Sequence, residues 1–201
     1  MANNGIEWAP PQWGTVDVLY GTGVMYTAAA SQSMPADIDL GDSTKWGPAG
    51  WSYIGATDQG VSITFTPRMT EIMIEEQPIP VAEIVETATF TVETSFAEET
   101  LKTINLAYGN GGTITTVAQG VGQPGKQILT LSTNFQQVAV AVLGRNQYGY
   151  PRIFYIPIMV SSGTVKTDFR RAAAKRMYPA TFSSLVNLNQ CTVTDILSPA
   201  L

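Results

Sequence analysis

The sequence predicts an all-β fold with a single helix, built as a sandwich or a partly closed barrel. Three observations predict it. Apolar residues recur with period two through most of the chain, turn clusters interrupt those runs, and one segment alone shifts to helical spacing. At 201 residues the chain suits one domain with an appended arm. A fold of this size buries roughly 70% of its unfolded surface, so it needs neither disulfide nor metal for stability.

In chain order, the leading segment Glu7 to Gly14, with Pro10-Pro11, reads as an arm, which sets a boundary of 1–14 for the arm and 15–201 for the domain. Residues 28–50 are long, turn-rich and weakly patterned, as functional or mobile connections are. Val61 to Thr66 then places three apolar side chains on one face and three hydroxyls on the other, and Ala88, Phe90 and Val92 alternate with threonines in the same way. Helical spacing takes over at about 96–108. Ser95 and Glu98 fit a capping box, Ala97, Leu101, Ile104 and Tyr108 form one stripe, and Gly109 supplies the stop. Further strands are expected at Gln127–Ser132, Gln137–Leu143 and Ile153–Val160. The last two are nearly continuous in apolar character, so both of their faces should be covered. Pro157 cannot donate to a ladder, which implies a bulge or an edge there. Turn signals such as Asp58-Gln59-Gly60 and Asn110-Gly111-Gly112 separate the runs.

Composition excludes several chemistries. There is no histidine, which rules out Ser-His-Asp and Cys-His nucleophiles, His-ligated metals and imidazole acid–base pairs. The lone Cys191, read as a free thiol at the end of a late strand, cannot form an internal disulfide and fits a reducing compartment. The adjacent carboxylates Glu75-Glu76 and Glu98-Glu99 point apart in a strand or a helix, so no glycosidase pair is selected. Asp37, Asp39 and Asp42 lack the ligand count and glycine turn of a calcium loop. Gly109 to Gly112 comes after a helix instead of opening one and cannot cradle phosphate. No enzyme, cofactor or metal is expected. The amino terminus lacks a signal peptide's basic flank and apolar stretch, and the longest apolar runs fall far short of the ~20 residues of a membrane helix. A soluble, unexported product without membrane insertion is expected.

Charge is low and unevenly placed. Only 13% of residues are charged, against about 25% in an ordinary domain. Residues 1–100 hold fourteen acids and two bases, and residues 101–201 hold nine bases and two acids. Such asymmetry favours contacts between unlike surfaces, unless the two halves interleave in one sheet and neutralise locally. The basic run with Arg170, Arg171, Lys175 and Arg176 has few aromatics beside it in an acidic chain, unlike a nucleic-acid binder, and reads as a solvated face or half of an intersubunit ion-pair set. All four tryptophans (Trp8, Trp13, Trp46, Trp51) fall in or beside the arm and the 28–50 loop. They read either as a local mini-core or, for Trp8, Trp13 and Trp46, as intersubunit contacts.

The order of segments resembles a known family. Trp51-Ser52-Tyr53-Ile54-Gly55-Ala56-Thr57-Asp58-Gln59-Gly60-Val61 is similar to a strand and turn of the major tail tube proteins of long-tailed bacteriophages. An acidic hairpin at Arg68 to Glu76 comes next. A threonine-rich strand leads into the helix between Glu86 and Tyr108, and the ending Phe169-Arg170-Arg171 through Met177-Tyr178-Pro179 to Leu185 resembles the family's closing strands. The resemblance covers roughly residues 15–197. It implies a tail-tube type of β-sandwich or partly closed barrel, related to the type VI secretion tube protein, whose copies close into hexameric rings that stack into a conduit for DNA in the virion tail. It further implies tape measure, tail tip and terminator proteins as partners, synthesis in the bacterial cytoplasm, and no binding of the DNA in transit. Another ring-forming tail or injection component (a terminator, a hub, a secretion tube) and a ligand-binding β-sandwich are the alternatives. Acids of the 71–93 region, Glu71, Glu75, Glu76, Glu86 and Glu93, are expected at the lumen or the seam between rings, with outward solvation of the same hairpin as the rival reading.

Overall fold

The protein's structure, a computed structural model, describes residues 23–73, 79, 82–146, 149–167, 177–185 and 191–197. In chain order its elements are β1 (Val24–Ala29), α1 (Ser43–Trp46), β2 (Ser52–Tyr53), β3 (Thr57–Ile72), β4 (Ala82–Phe96), α2 (Leu101–Ala107), β5 (Thr113–Val117), β6 (Lys126–Thr130), β7 (Val138–Arg145), β8 (Pro151–Ser161), β9 (Tyr178–Ser184) and β10 (Thr192–Asp195). The main sheet runs β2-β1-β7-β8-β9-β4-β3, with β10 added beside β8, and curls into a half-barrel. All its pairings are antiparallel. β5 and β6 form a separate two-stranded sheet.

Period-two patterning places the core. In β7 the side chains of Val138, Val140 and Val142 enter one buried cluster with Met25, Val92, Phe96, Ile156, Met159 and Phe182. The intervening Ala139 and Ala141 enter a second cluster with Tyr26, Leu40, Trp46, Trp51 and Ile153. Both faces of β7 are therefore covered, which is why its sequence is continuously apolar. The two alanines are small enough for the Tyr26 and Trp46 rings to approach the sheet; those rings stack with centroids 4.3 Å apart.

Pro157 lies in an inner strand at a bulge, the first of the two placements its missing N–H allows. The β7–β8 register shifts between Val138 and Val140, on either side of the paired Met159 and Ile156. On the other side of β8, β10 pairs with Arg152–Tyr155 and β9 with Met159–Ser161, so Pro157 also falls in the gap between those two neighbours. Its carbonyl accepts from the Ser31 N–H at 2.8 Å.

The helix is shorter than its spacing predicts and begins at Leu101. Ser95 belongs to β4, which pairs through Phe96 with both β3 and β9 and buries that phenyl ring completely. Two ladders and a buried ring outweigh one reciprocal cap. Thr100 becomes the cap: its Oγ1 accepts from the Thr103 N–H, and the Thr103 Oγ1 accepts from the Thr100 N–H. Glu98, freed from capping its own helix, accepts from the Ala56 N–H at 3.0 Å. The buried face is correspondingly rotated to Thr103, Leu106 and Ala107, with Ile104 and Tyr108 packed at its margin. Gly109 does end the helix, at φ +99.

Residues 28–50 are also more ordered than their pattern suggests. They begin inside β1 and continue through a 3-10 turn at Asp37–Asp39 and through α1, where the Asp42 carboxylate accepts from the Thr44 N–H. The Trp46 indole donates to the Leu40 carbonyl and the Trp51 indole to the Ser33 carbonyl. Trp46 has 0% of its surface exposed and packs within the protomer's own second cluster, as a local mini-core would place it. Cys191 precedes β10 and does not end a strand; it is free and half-buried, and burial pushes its thiol pKa up.

Candidate functional site

The feature that leaves the body is the β3–β4 hairpin. Its strands pair from Thr57↔Phe96 out to Ile72↔Ala82. β9 covers β4 only over Thr91–Phe96, and the last tie is the Phe90 N–H donating to the Ser184 hydroxyl at 2.9 Å. Beyond that point the hairpin is a two-stranded ribbon of about seven residue pairs, roughly 25 Å long. Such a ribbon is marginal in water unless a face is packed.

Register assigns its faces. Near the body, Ile63↔Val92 and Phe65↔Phe90 turn toward the core, while Ser62↔Glu93, Thr64↔Thr91 and Thr66↔Thr89 turn away. β9 continues the outer face with Thr181 opposite Glu93 and Ser183 opposite Thr91. Ser162 adds another hydroxyl, its Oγ 2.7 Å from that of Ser183. The result is a three-strand surface of serines and threonines whose one unpaired charge is Glu93. The only basic residue in β3, β4 and β9 is Arg68, and it pairs with Glu86 at 3.6 Å.

A bulge between Arg68 and Met69 reorients the outer part of the ribbon. Two β4 residues, Glu86 and Thr87, oppose Arg68, which brings Glu86 round to the hydroxyl side. Past the bulge Met69↔Val85 and Glu71↔Glu83 lie on the core-side face, continuing the line of Phe65 and Phe90. Those two rings sit 4.9 Å apart, and Phe65 is 47% and Met69 54% exposed. An apolar strip thus runs out of the core along the ribbon and ends in two opposed carboxylates. Glu71 and Glu93, grouped by sequence position, stand on opposite faces; Glu86 and Glu93 share one.

Glu75, Glu76, Trp8, Trp13, Arg170, Arg171, Lys175 and Arg176, and the arm 1–14, lie outside the described residues. Sequence reasoning passed over Glu83 and Lys102, which the surface brings into play. Folding the sequence back on itself about Gln77 would have set Glu83 opposite Glu71, because strand pairs in a hairpin share a constant sum of positions.

At the other side of the sheet, the strongest polar knot is structural. Asn146 donates to the Asp195 carboxylate at 2.7 Å and the Ile196 carbonyl at 2.6 Å, and Arg152 donates to Asp195 at 2.6 Å. The Arg152 hydrogen bond, with that of Asn146 behind it, holds the Asp195 carboxyl below its ordinary range. Among the described residues no group of three or more acidic or thiol side chains could hold a metal ion, and no helix is long and apolar enough to cross a membrane.

The described residues thus present a curled sheet with a β3–β4 ribbon whose core-side face is apolar. The chain belongs to the phage tail tube protein family: that family's model matches residues 17–143. It is accordingly a structural protein of the virion tail. Among solved structures it is similar to a chain in the tail of an empty GTA particle, determined by helical refinement with C6 symmetry; the two are 7% identical with a TM-score of 0.42, over 86% of this chain and 95% of that one. No curated protein matches the sequence.

Proposed function

We propose that six copies of this chain close into a ring, that rings stack into the tube through which DNA leaves the virion, and that the chain performs no catalysis. Six is the number implied by the likeness of segment order to tail tube proteins. The hydroxyl face of β3, β4 and β9 is the wall that DNA meets, and Glu93 is its charge. One observation carries this reading: among the described residues, the broad face of β3, β4 and β9 holds no unpaired cation. Duplex DNA carries a phosphate charge every ~1.7 Å, and each lysine or arginine it met would release counterions and hold it. Hydroxyls exchange hydrogen bonds between water and phosphate at little net cost, and a carboxylate repels.

Glu71, on the opposite face, belongs at a seam between subunits and not in the lumen. Tail tip, tape measure and terminator proteins are the partners at the tube's ends and interior. The test is Thr64→Lys with Thr91→Lys, introduced into virions. Well-formed tubes with DNA delivery reduced about tenfold or more support the lumen assignment; well-formed tubes with unchanged delivery overturn it.

A further inference from the structure

Two grooves meet at the end of the sheet farthest in strand order from the hairpin. One, of about 680 Å³, lies between β1 and the 135–138 segment; the other, of about 330 Å³, runs along the first turn of α2 beside Ile54 and Leu106. Thr27, Lys102 and Asn110 line both, so they form one continuous channel. β2 pairs only with Tyr26 and Thr27, and among the described residues no strand continues along β1 past them on that side. The smaller groove, with Ile54 and Leu106 in its wall, is the more apolar part of a channel that runs beside an incomplete sheet margin. Lys102 is exposed at the junction and makes no ion pair with a described residue. Glu98, also in the wall, is engaged with the Ala56 N–H.

The ribbon has the complementary properties. Phe65, Met69 and Val85 form its apolar strip, and Glu71 and Glu83 form a pair of like charges directly across the ladder, an arrangement that destabilises a ribbon standing alone. A cation placed between them reverses the sign of that interaction. The chain's own Lys102 cannot supply it. The channel sits beside the start of β3, near Ile54 and Gly55, while Glu71 lies fourteen residues further along a continuous strand, roughly 45 Å away.

We propose that the channel along β1 and α2 receives the β3–β4 ribbon of a second copy of this chain, with Lys102 seated between Glu71 and Glu83. The slot lies at the base of the hairpin beside β1 and the ribbon at its far end, so the contact is heterologous and propagates from copy to copy, closing a ring or extending a filament. This proposal rests on the tube reading above, for which it names the joint.

Charge exchange tests it. Glu71→Lys with Glu83→Lys should raise the protein concentration needed for tube assembly about tenfold or more, and Lys102→Glu should do the same. The triple variant should recover most of the loss, because the exchanged charges again face each other. All these side chains are exposed, and circular dichroism and gel filtration should show each protomer folded. Unchanged assembly in either reversal, or no recovery in the triple variant, overturns the proposal. Zero-length carbodiimide coupling on the wild-type assembly separates the two levels of inference. Tubes without a Lys102–Glu71 or Lys102–Glu83 link between copies sink this joint and leave the tube standing. The same link found in an assembly that is not a tube keeps the joint and sinks the tube.

Discussion

Glu71 and Glu83 stand directly opposite each other across the β3–β4 ladder, both exposed, and neither forms an ion pair with a described residue. Within one protomer this opposition is a cost; between protomers it is a receptor for a cation. Removing one charge should therefore move two properties in opposite directions. Glu83→Gln should stabilise the isolated protomer slightly, on the order of 0.5 kcal/mol, in a denaturant titration. It should at the same time weaken assembly in light scattering. A variant that loses stability and assembles normally would show that the pair has no role between copies.

Trp46 is a test of the interior. Its ring stacks on Tyr26, meets Trp51 edge-on at 5.5 Å, and donates to the Leu40 carbonyl. Trp46→Ala should cost about 3–5 kcal/mol of protomer stability, with the Leu40 carbonyl left without its donor. Trp46→Phe should cost less than half as much. An alanine variant whose unfolding midpoint is unchanged, but whose assembly fails, would return Trp46 to the interface.

Gly109 carries a backbone demand. It sits at φ +99, and a β-carbon there would fall 2.2 Å from the Phe135 ring. Gly109→Ala should destabilise by about 1–3 kcal/mol through left-handed strain and displacement of that ring. Phe135 also lines the channel on β1, so the same substitution should weaken assembly beyond the stability loss. Matched unfolding and assembly measurements on the alanine variant would show whether the second effect is present.

Asp195 gives a pH signature. Its folded carboxyl is held below the ordinary 3.8 by hydrogen bonds from Arg152 and Asn146. A lowered folded pKa contributes stability that is present above the unfolded pKa and is lost as pH falls through the folded one. The β8–β10 joint should therefore weaken below about pH 4. Asp195→Asn should flatten the acid limb of a stability–pH profile while lowering the plateau above it. An acid limb identical to the wild type would remove Asp195 from that role.

Much of the fold was legible because burial imposes a simple period. β7 and β8 read as covered on both faces, and the valines and alanines of β7 do enter two different cores. The Pro157 bulge and the Gly109 stop come from single-residue chemistry that tertiary context left alone. Where two local signals competed, long-range pairing decided. Ser95 and Glu98 make a sound capping box, but Phe96 sits between two ladders that the local sequence does not reveal. The same holds for Trp46, whose partners Tyr26, Ala141 and Ile153 come from three separate strands. For the assembly surface, the acids of the hairpin were visible as a group, but their division between two faces depends on a bulge at Arg68–Met69 that shifts the register by one residue. Lys102 has no sequence signal to single it out, because its setting comes from the groove built around it by distant segments.

Electron microscopy of the purified full-length chain, taken to a helical reconstruction, bears most directly on whether its open sheet is completed by copies of itself around a channel. Hollow tubes with six subunits per ring, with Thr64 and Thr91 facing the bore and each ribbon seated on the neighbour's β1, are the expected result. Discrete monomers at every concentration, or a solid assembly with the hydroxyl face turned outward, would contradict it.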